Sequence, residues 1–201
     1  MPLELKKMSK IKVIAIIGRS ASGKDTLVQS AVQEFSEHLH KVIHYTTRPM
    51  RQEEKEGSTY YFITEDELNK LSENEQILSS TCFNEWYYAL GVNSFNKDKV
   101  NIGVFNPIEL LDLLENYEDL FEFHIIETQA GENSRYHRSL MRLAETPFNE
   151  EGLKEMCRRN KADELDFKNI EYIKRKILYT DYIGSKNYNL GYIEGLLGNL
   201  V

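Results

Sequence analysis

The segment from Gly18 to Lys24, GRSASGK, spaces two glycines and a lysine as G-x-x-x-x-G-K. When such a loop runs from a strand into a helix, its main-chain N–H groups converge on an anion. The helix N-terminus adds positive potential, and the lysine neutralises terminal phosphates. The spacing therefore predicts a triphosphate-binding site built from Gly18, Ser20, Ala21, Ser22, Gly23, Lys24, Asp25 and Thr26. Asp25 is unusual, because a serine or threonine that binds magnesium normally follows the lysine. A carboxylate facing the β- and γ-phosphates is tolerable when a cation lies between them, which makes Asp25 a candidate Mg2+ ligand. A carboxylate in a helix's first turn is also worth about 0.3–1 kcal/mol whatever its function. The residues alone leave both readings open.

A second set of polar residues lies in TTRPMRQEEKEGSTYYF, residues 46–62. Arg48 and Arg51 are three apart, and Tyr60 follows a glycine turn at Gly57. Two forked guanidiniums and a phenol suit a phosphate monoester. A third set, Arg135, Arg138 and Arg142, recurs at helical spacing and can share one face, which is either a solvated basic surface or part of a charge-neutralising lid. His44, His124 and His137 carry no catalytic assignment. Trp86 reads as a flap aromatic, and Glu127 as either an exposed strand end or a carboxylate near magnesium.

These groups need a scaffold. Ile11 to Ile17 is an apolar, β-branched run of the kind a parallel sheet buries on both faces. Thr26 to His40 carries Leu27, Val28, Ala31, Val32, Phe35 and Leu39 at helical spacing, and Lys41 to Tyr45 reads as a second strand. Strands are expected again at 99–105 and 121–127, with a helix opened by Pro107 and running to about Tyr117. A short acidic helix is expected over Glu65 to Leu71, polar helices over 132–179, and an amphipathic helix in the tail YIEGLLGNL. Strands alternating with helices argue an α/β, three-layer sandwich on a mostly parallel sheet. The expected organisation is one domain: a core over about 10–45, 97–131 and 180–201, an acceptor flap over about 46–96, and a helical lid over about 132–179.

The 201 residues include 25 Lys+Arg against 32 Asp+Glu, a net charge of −7, which gives no electrostatic footprint for nucleic acid or an anionic membrane. Cys82 and Cys157 sit in no paired or metal-ligand spacing and read as buried bystanders in a reducing compartment. Residues 1–9 read as a loose leader without a signal-peptide core, and no apolar run reaches about 20 residues, so a cytoplasmic location is expected.

The succession GRSASGKDTL, HYTTRPMRQEEKEGSTYYF and the pair Tyr87–Tyr88 resembles the guanylate kinase family, P-loop nucleoside monophosphate kinases, from Ile11 to Tyr88. That resemblance implies that Arg48, Arg51, Glu54, Tyr60 and Tyr88 hold an acceptor monophosphate. The later EMCRRNKADELDF is similar to the family's lid helix, with R-x-x-x-A at Arg158 and Ala162. It implies that Arg158, with or without Arg159, reaches the transferring phosphate; of the arginines at helical spacing Arg142 is the one chosen to act with Arg158 and Lys24. ATP is then the donor, Mg2+ the cofactor, and GMP or dGMP the first acceptor to test. The departures lie in the base pocket and on the following strand. His44, Ser79, Leu90, Asn101 and Gly103 stand where the family has its base-reading or metal-associated residues. A weakened preference for GMP is therefore expected. Two alternatives are a sugar-phosphate kinase of the ribose bisphosphate kinase type, which also carries G-K-D, and a non-catalytic guanylate-kinase-like module.

Overall fold

The computed structural model describes residues 10–51, 54–83, 85–144, 150–170, 173, 179–182 and 186–200. Strand β1 (Ile11–Ile17) lies at the centre of a five-stranded sheet in which every pairing is parallel. The order is β2 (Leu39–Lys41), β7 (Val100–Val104), β1, β8 (Phe121–Thr128) and β9 (Tyr179–Tyr182). The unbroken apolar run of β1 follows from burial on both faces. Val13, Ala15 and Ile17 pack with Phe105, Leu110, Leu113, Phe123 and Ile125. Ile14 and Ile16 pack on Leu27, Val28 and Ala31 of helix α1 (Lys24–Glu34), and on Ile193 and Leu197 of the C-terminal helix α6 (Lys186–Leu200). At about 1.5–3 kcal/mol for each fully buried aliphatic side chain, β1 is the part of the sheet least free to move.

Four short strands form a second sheet, in the order β4 (Tyr61–Phe62), β3 (Tyr45–Thr46), β6 (Trp86–Gly91) and β5 (Ile77–Phe83). Helix α2 (Glu65–Glu73) sits between β4 and β5 and is opened by a reciprocal cap, in which Thr64 Oγ1 accepts from the Glu67 N–H and the Glu67 carboxylate accepts from the Thr64 N–H. Helix α3 (Pro107–Asn116) follows β7, with Asn106 as its N-cap and proline at the first turn. Helices α4 (Glu132–Ala144) and α5 (Glu150–Asp166) carry the arginine-rich region. Among the described residues, no helix is long and apolar enough to cross a membrane.

Three elements differ from the sequence expectation. Helix α1 ends at Glu34 rather than near His40, and Leu39, placed on its apolar face, opens β2 instead. The stretch 41–45 is divided: Leu39–Lys41 joins the parallel sheet, and the chain leaves it at Val42 to enter the second sheet at Tyr45. Gly103 permits this crossing, because a Cβ there would meet Val42 Cβ at 2.8 Å. The strand β9, sequence YTDY, falls at the boundary of what reads as polar lid. An edge strand paired only to β8 needs no apolar run, so it carries little sequence signal. The N-terminal leader lies outside the described residues. Both cysteines are free and exposed, not buried, since Cys82 lies on the outer part of β5 and Cys157 on α5.

Candidate active site

The phosphate loop leaves the carboxyl end of β1, between β7 and β8, where the sheet order reverses and open α/β sheets bind ligands. Gly18 backs onto the end of β8 so closely that a Cβ would lie 2.3 Å from Thr128 Oγ1. The Ser22 hydroxyl bonds Thr128 Oγ1 at 2.7 Å, tying the loop to that strand. Gly23, with φ 101°, turns the chain into α1. Lys24 Nζ donates to the Arg19 carbonyl at 3.1 Å. Burial lowers the Lys24 pKa most; Asp25 and Asp163 raise it, and Arg135 and Arg142 lower it further. A lysine surrounded in this way has lost much of its hydration and gains strongly from an anion.

Asp25 and Thr26 are exposed in the first turn of α1. The Asp25 charge reaches Lys24 on the loop, Lys41 at the end of β2, and Tyr60, just before β4 of the second sheet. Among the described residues, no group of three or more His, Cys, Asp or Glu side chains could hold a metal alone.

The second sheet gathers the candidate acceptor residues. Arg48 donates from both arms of its fork to Glu54, at 2.9 and 2.7 Å, and to the Pro49 carbonyl at 2.7 Å. Its guanidinium lies 5.6 Å from the Tyr60 ring and 5.7 Å from Phe62. Tyr60 and Tyr88 meet edge to face at 5.9 Å. Burial, reinforced by Tyr88 and Asp25, pushes the Tyr60 phenol up to about 12, so it remains a neutral donor. Arg51 is exposed, and its main-chain N–H donates to Glu54. Burial alone would raise the Glu54 pKa; the Arg48 fork and the Arg51 N–H together hold it below the usual carboxylate range. Glu54 therefore orients Arg48 in the free protein.

Other sequence-predicted positions lie elsewhere. Leu90 is wholly buried in the core with Leu110 and Leu113, and Ser79 is its buried neighbour across the β5–β6 ladder. Asn101 is structural: its amide donates to the Lys12, Asn96 and Lys99 carbonyls, and its oxygen accepts from the Asn96 N–H. Gly103 leaves no room for a carboxylate beside Val42. Glu127 is buried, not an exposed strand end, and lines a cavity of about 260 Å³ with Arg19, Thr128, Gln129, Ala130 and Arg135. Arg142 is exposed on α4. Arg158 is bound by Glu155 at 2.6 and 2.7 Å, and its guanidinium lies 3.7 Å over the Phe83 ring, which joins the lid helix to the second sheet.

Sequence reading missed Asp163. Its buried carboxylate accepts from the Ser20 N–H at 2.8 Å and the Ser20 hydroxyl at 3.1 Å, and faces Arg135 at 3.6 Å. It pins α5 and α4 to the phosphate loop. Arg135 Nε, buried and without a hydrogen-bond partner among the described residues, belongs to the same contact. The helical repeat 135, 138, 142 marked Arg135, but no local pattern marks Asp163.

The structure thus sets a glycine loop at the end of β1, an Arg48–Tyr60–Tyr88 cluster beside a separate small sheet, and the arginine-bearing helices α4 and α5. The Guanylate kinase family model matches residues 10–100. Over that segment the chain is similar to guanylate kinases. It is 28% identical over 158 residues to the guanylate kinase of Mycoplasma genitalium, covering 78% of this chain and 60% of that protein. With that of Malacoplasma penetrans it shares 29% over 164 residues, 78% of this chain and 81% of the relative. With that of Ehrlichia ruminantium (strain Gardel) it shares 35% over 85 residues, 42% and 40% of the two chains. It spans 53% of the Schizosaccharomyces pombe guanylate kinase. The crystal structure of guanylate kinase from Anaplasma phagocytophilum superposes with a TM-score of 0.63 at 20% identity, covering 95% of this chain and 87% of that one. The guanylate kinase-like fold thus extends well beyond the segment in which sequence similarity is concentrated.

Proposed function

We propose that this chain transfers the γ-phosphoryl group of ATP to a nucleoside monophosphate, with GMP or dGMP as the acceptor. The observation that carries this reading is the pairing of two phosphate-type sites across Asp25. Lys24 in its loop lies on one side, and the Arg48, Tyr60 and Tyr88 cluster lies on the other. The kinship with guanylate kinases supports the choice of acceptor.

In this mechanism an oxygen of the acceptor phosphate forms a bond to the γ-phosphorus as the bond from that phosphorus to the β,γ-bridging oxygen breaks. The electron pair leaves on ADP. Such chemistry needs position and charge neutralisation more than covalent help from the protein. Lys24 and the loop N–H groups hold the donor phosphates. Arg48, aligned by Glu54, and Arg51 hold the acceptor, with Tyr60 and Tyr88 donating to it. The lid supplies Arg142 and, by the same reading, Arg158, which must leave Glu155 and Phe83 to do so. Asp25 makes no side-chain hydrogen bond among the described residues and suits Mg2+, which keeps most of its ligands as phosphate and water oxygens. When bound, the ion neutralises charge on the β- and γ-phosphates. Asp25→Asn should then raise the Mg2+ concentration needed for half-maximal nucleotide binding at least tenfold, and an unchanged requirement would exclude it as a ligand.

A coupled ADP-release screen over GMP, dGMP, AMP, UMP, dTMP, CMP and ribose phosphates tests the reading. GMP or dGMP should give the largest kcat/KM. Activity confined to a sugar phosphate, or none despite ATP binding, overturns it.

A further inference from the structure

We propose that His44 and Glu109 read the base of the acceptor nucleotide, and that the base they fit is a 2-amino-6-oxopurine. The inference rests on the acceptor reading above. His44 Nε2 lies 3.1 Å from each oxygen of Glu109, and the two side chains retain 15% and 11% exposure. Nothing in the phosphoryl-transfer machinery uses them. Their position in the sheet does suggest a use. The register pairs Tyr45 with Ala89 and Thr46 with Tyr88, so continuing it sets His44 opposite Leu90, which in turn pairs with Ser79. Side chains alternate along a strand, which puts His44 on the face of Thr46 and Tyr88, beside the phosphate-holding cluster. Glu109 reaches this row from the first turn of α3, just beyond the carboxyl end of β7, the strand beside β1. A carboxylate thus comes to the row occupied by Ser79, but from a different element.

The chemistry selects the base. With Nε2 donating to Glu109, the oxygens of an ionised carboxylate keep further lone pairs and act only as acceptors. Adjacent N–H donors, the ring N1–H and the 2-amino group, match them. The second ring nitrogen of His44, Nδ1, has no protein partner among the described residues and, in the imidazolium, donates to the 6-oxo group. Adenine presents a donor beside an acceptor, and uracil and thymine a single donor between acceptors, so each would set an acceptor against the carboxylate. The edge-on contact of His44 with Phe105, at 5.8 Å, fixes the ring from behind. Glu109 is therefore the specificity-determining residue, and His44 both contacts the base and positions Glu109.

The test measures kcat/KM for GMP, IMP and AMP with ATP, together with calorimetric binding of the three monophosphates alone, for the full chain and for Glu109→Gln and His44→Gln. For the wild type, GMP should exceed AMP by about 10³-fold or more, with IMP between them for want of the 2-amino group. Glu109→Gln should raise the KM for GMP about 100-fold, bring the GMP:IMP ratio toward one and leave ATP affinity within about twofold. His44→Gln should raise the KM for GMP about tenfold while preserving that ratio. A Glu109→Gln enzyme with the wild-type GMP:IMP ratio, or a wild type that binds AMP as well as GMP, overturns the inference. Should Glu109→Gln not fold, the wild-type ratios and His44→Gln decide alone. Phosphorylation of GMP that is indifferent to Glu109 leaves the proposed function standing and removes this inference. Glu109-dependent binding of GMP without turnover supports this inference and removes the proposed reaction.

Discussion

Arg48 and Arg51 look equivalent in sequence, but the structure separates them, and lysine substitutions should expose the difference. Arg48 makes two bonds to Glu54 and one to the Pro49 carbonyl, with the pair only 10% and 14% exposed. Lysine keeps the charge but cannot reproduce the fork. If it recovers one of the three bonds, the loss at about 1.5–3 kcal/mol for each charge-assisted bond, partly offset by rearrangement, is roughly 2–4 kcal/mol. In a domain of this size that corresponds to a fall of roughly 4–16 °C in Tm. Arg51 is exposed, so Arg51→Lys should cost no more than about 0.5 kcal/mol. Both should raise the acceptor KM about tenfold or more with little change in ATP affinity, but only Arg48→Lys should melt early. Thermal melts, acceptor kinetics and a double-mutant cycle of Arg48→Lys with Glu54→Gln give the comparison. Equal stability of the two lysine variants, or a coupling energy between Arg48 and Glu54 indistinguishable from zero, would refute the claim that Glu54 pre-orients Arg48.

Lys24→Ala should reduce kcat by about 10²–10³-fold or more while moving Tm by only a few degrees, because the lost bond to Arg19 is offset by relief of a poorly hydrated ammonium; ADP release and melting curves check this, and near-wild-type turnover would exclude the loop. Asp163→Ala should release the lid from Ser20, speeding amide exchange in α4 and α5 at least tenfold relative to β1; unchanged exchange would mean that the contact does not pin the lid. Burial alone would lower the His44 pKa, but the charge of Glu109 and its hydrogen bond outweigh this and raise it. A raised folded value means that the extra stabilisation is fully present below about pH 6.5, the unfolded value, and is lost as pH rises through the folded one. The Tm gap between wild type and Glu109→Gln should therefore be widest near pH 6 and shrink toward pH 9, and a gap that widened with pH would reverse the assignment.

The chemistry of the phosphate loop was legible in sequence because every signal it uses is local. A strand buried on both faces reads as a continuous apolar run, Gly18 marks a backbone that a side chain would obstruct, Gly23 marks a left-handed turn, and Lys24 follows at fixed spacing. The same holds for the start of α1 though not its end, for α3 with its Asn106–Pro107 start, and for the Arg48–Tyr60 segment, which is contiguous in the chain. Contacts between distant residues were not legible. Glu109 meets His44 across 65 positions and Asp163 meets Ser20 across 143, and no periodicity in either segment reports the other. The apolar residues around Val42 satisfied a strand pattern, but only the space above Gly103 decided that the chain would leave one sheet there for the next. Local pattern determines which elements form and which face each one buries. Packing decides which buried polar groups then share a cavity, because that depends on how the elements close over one another.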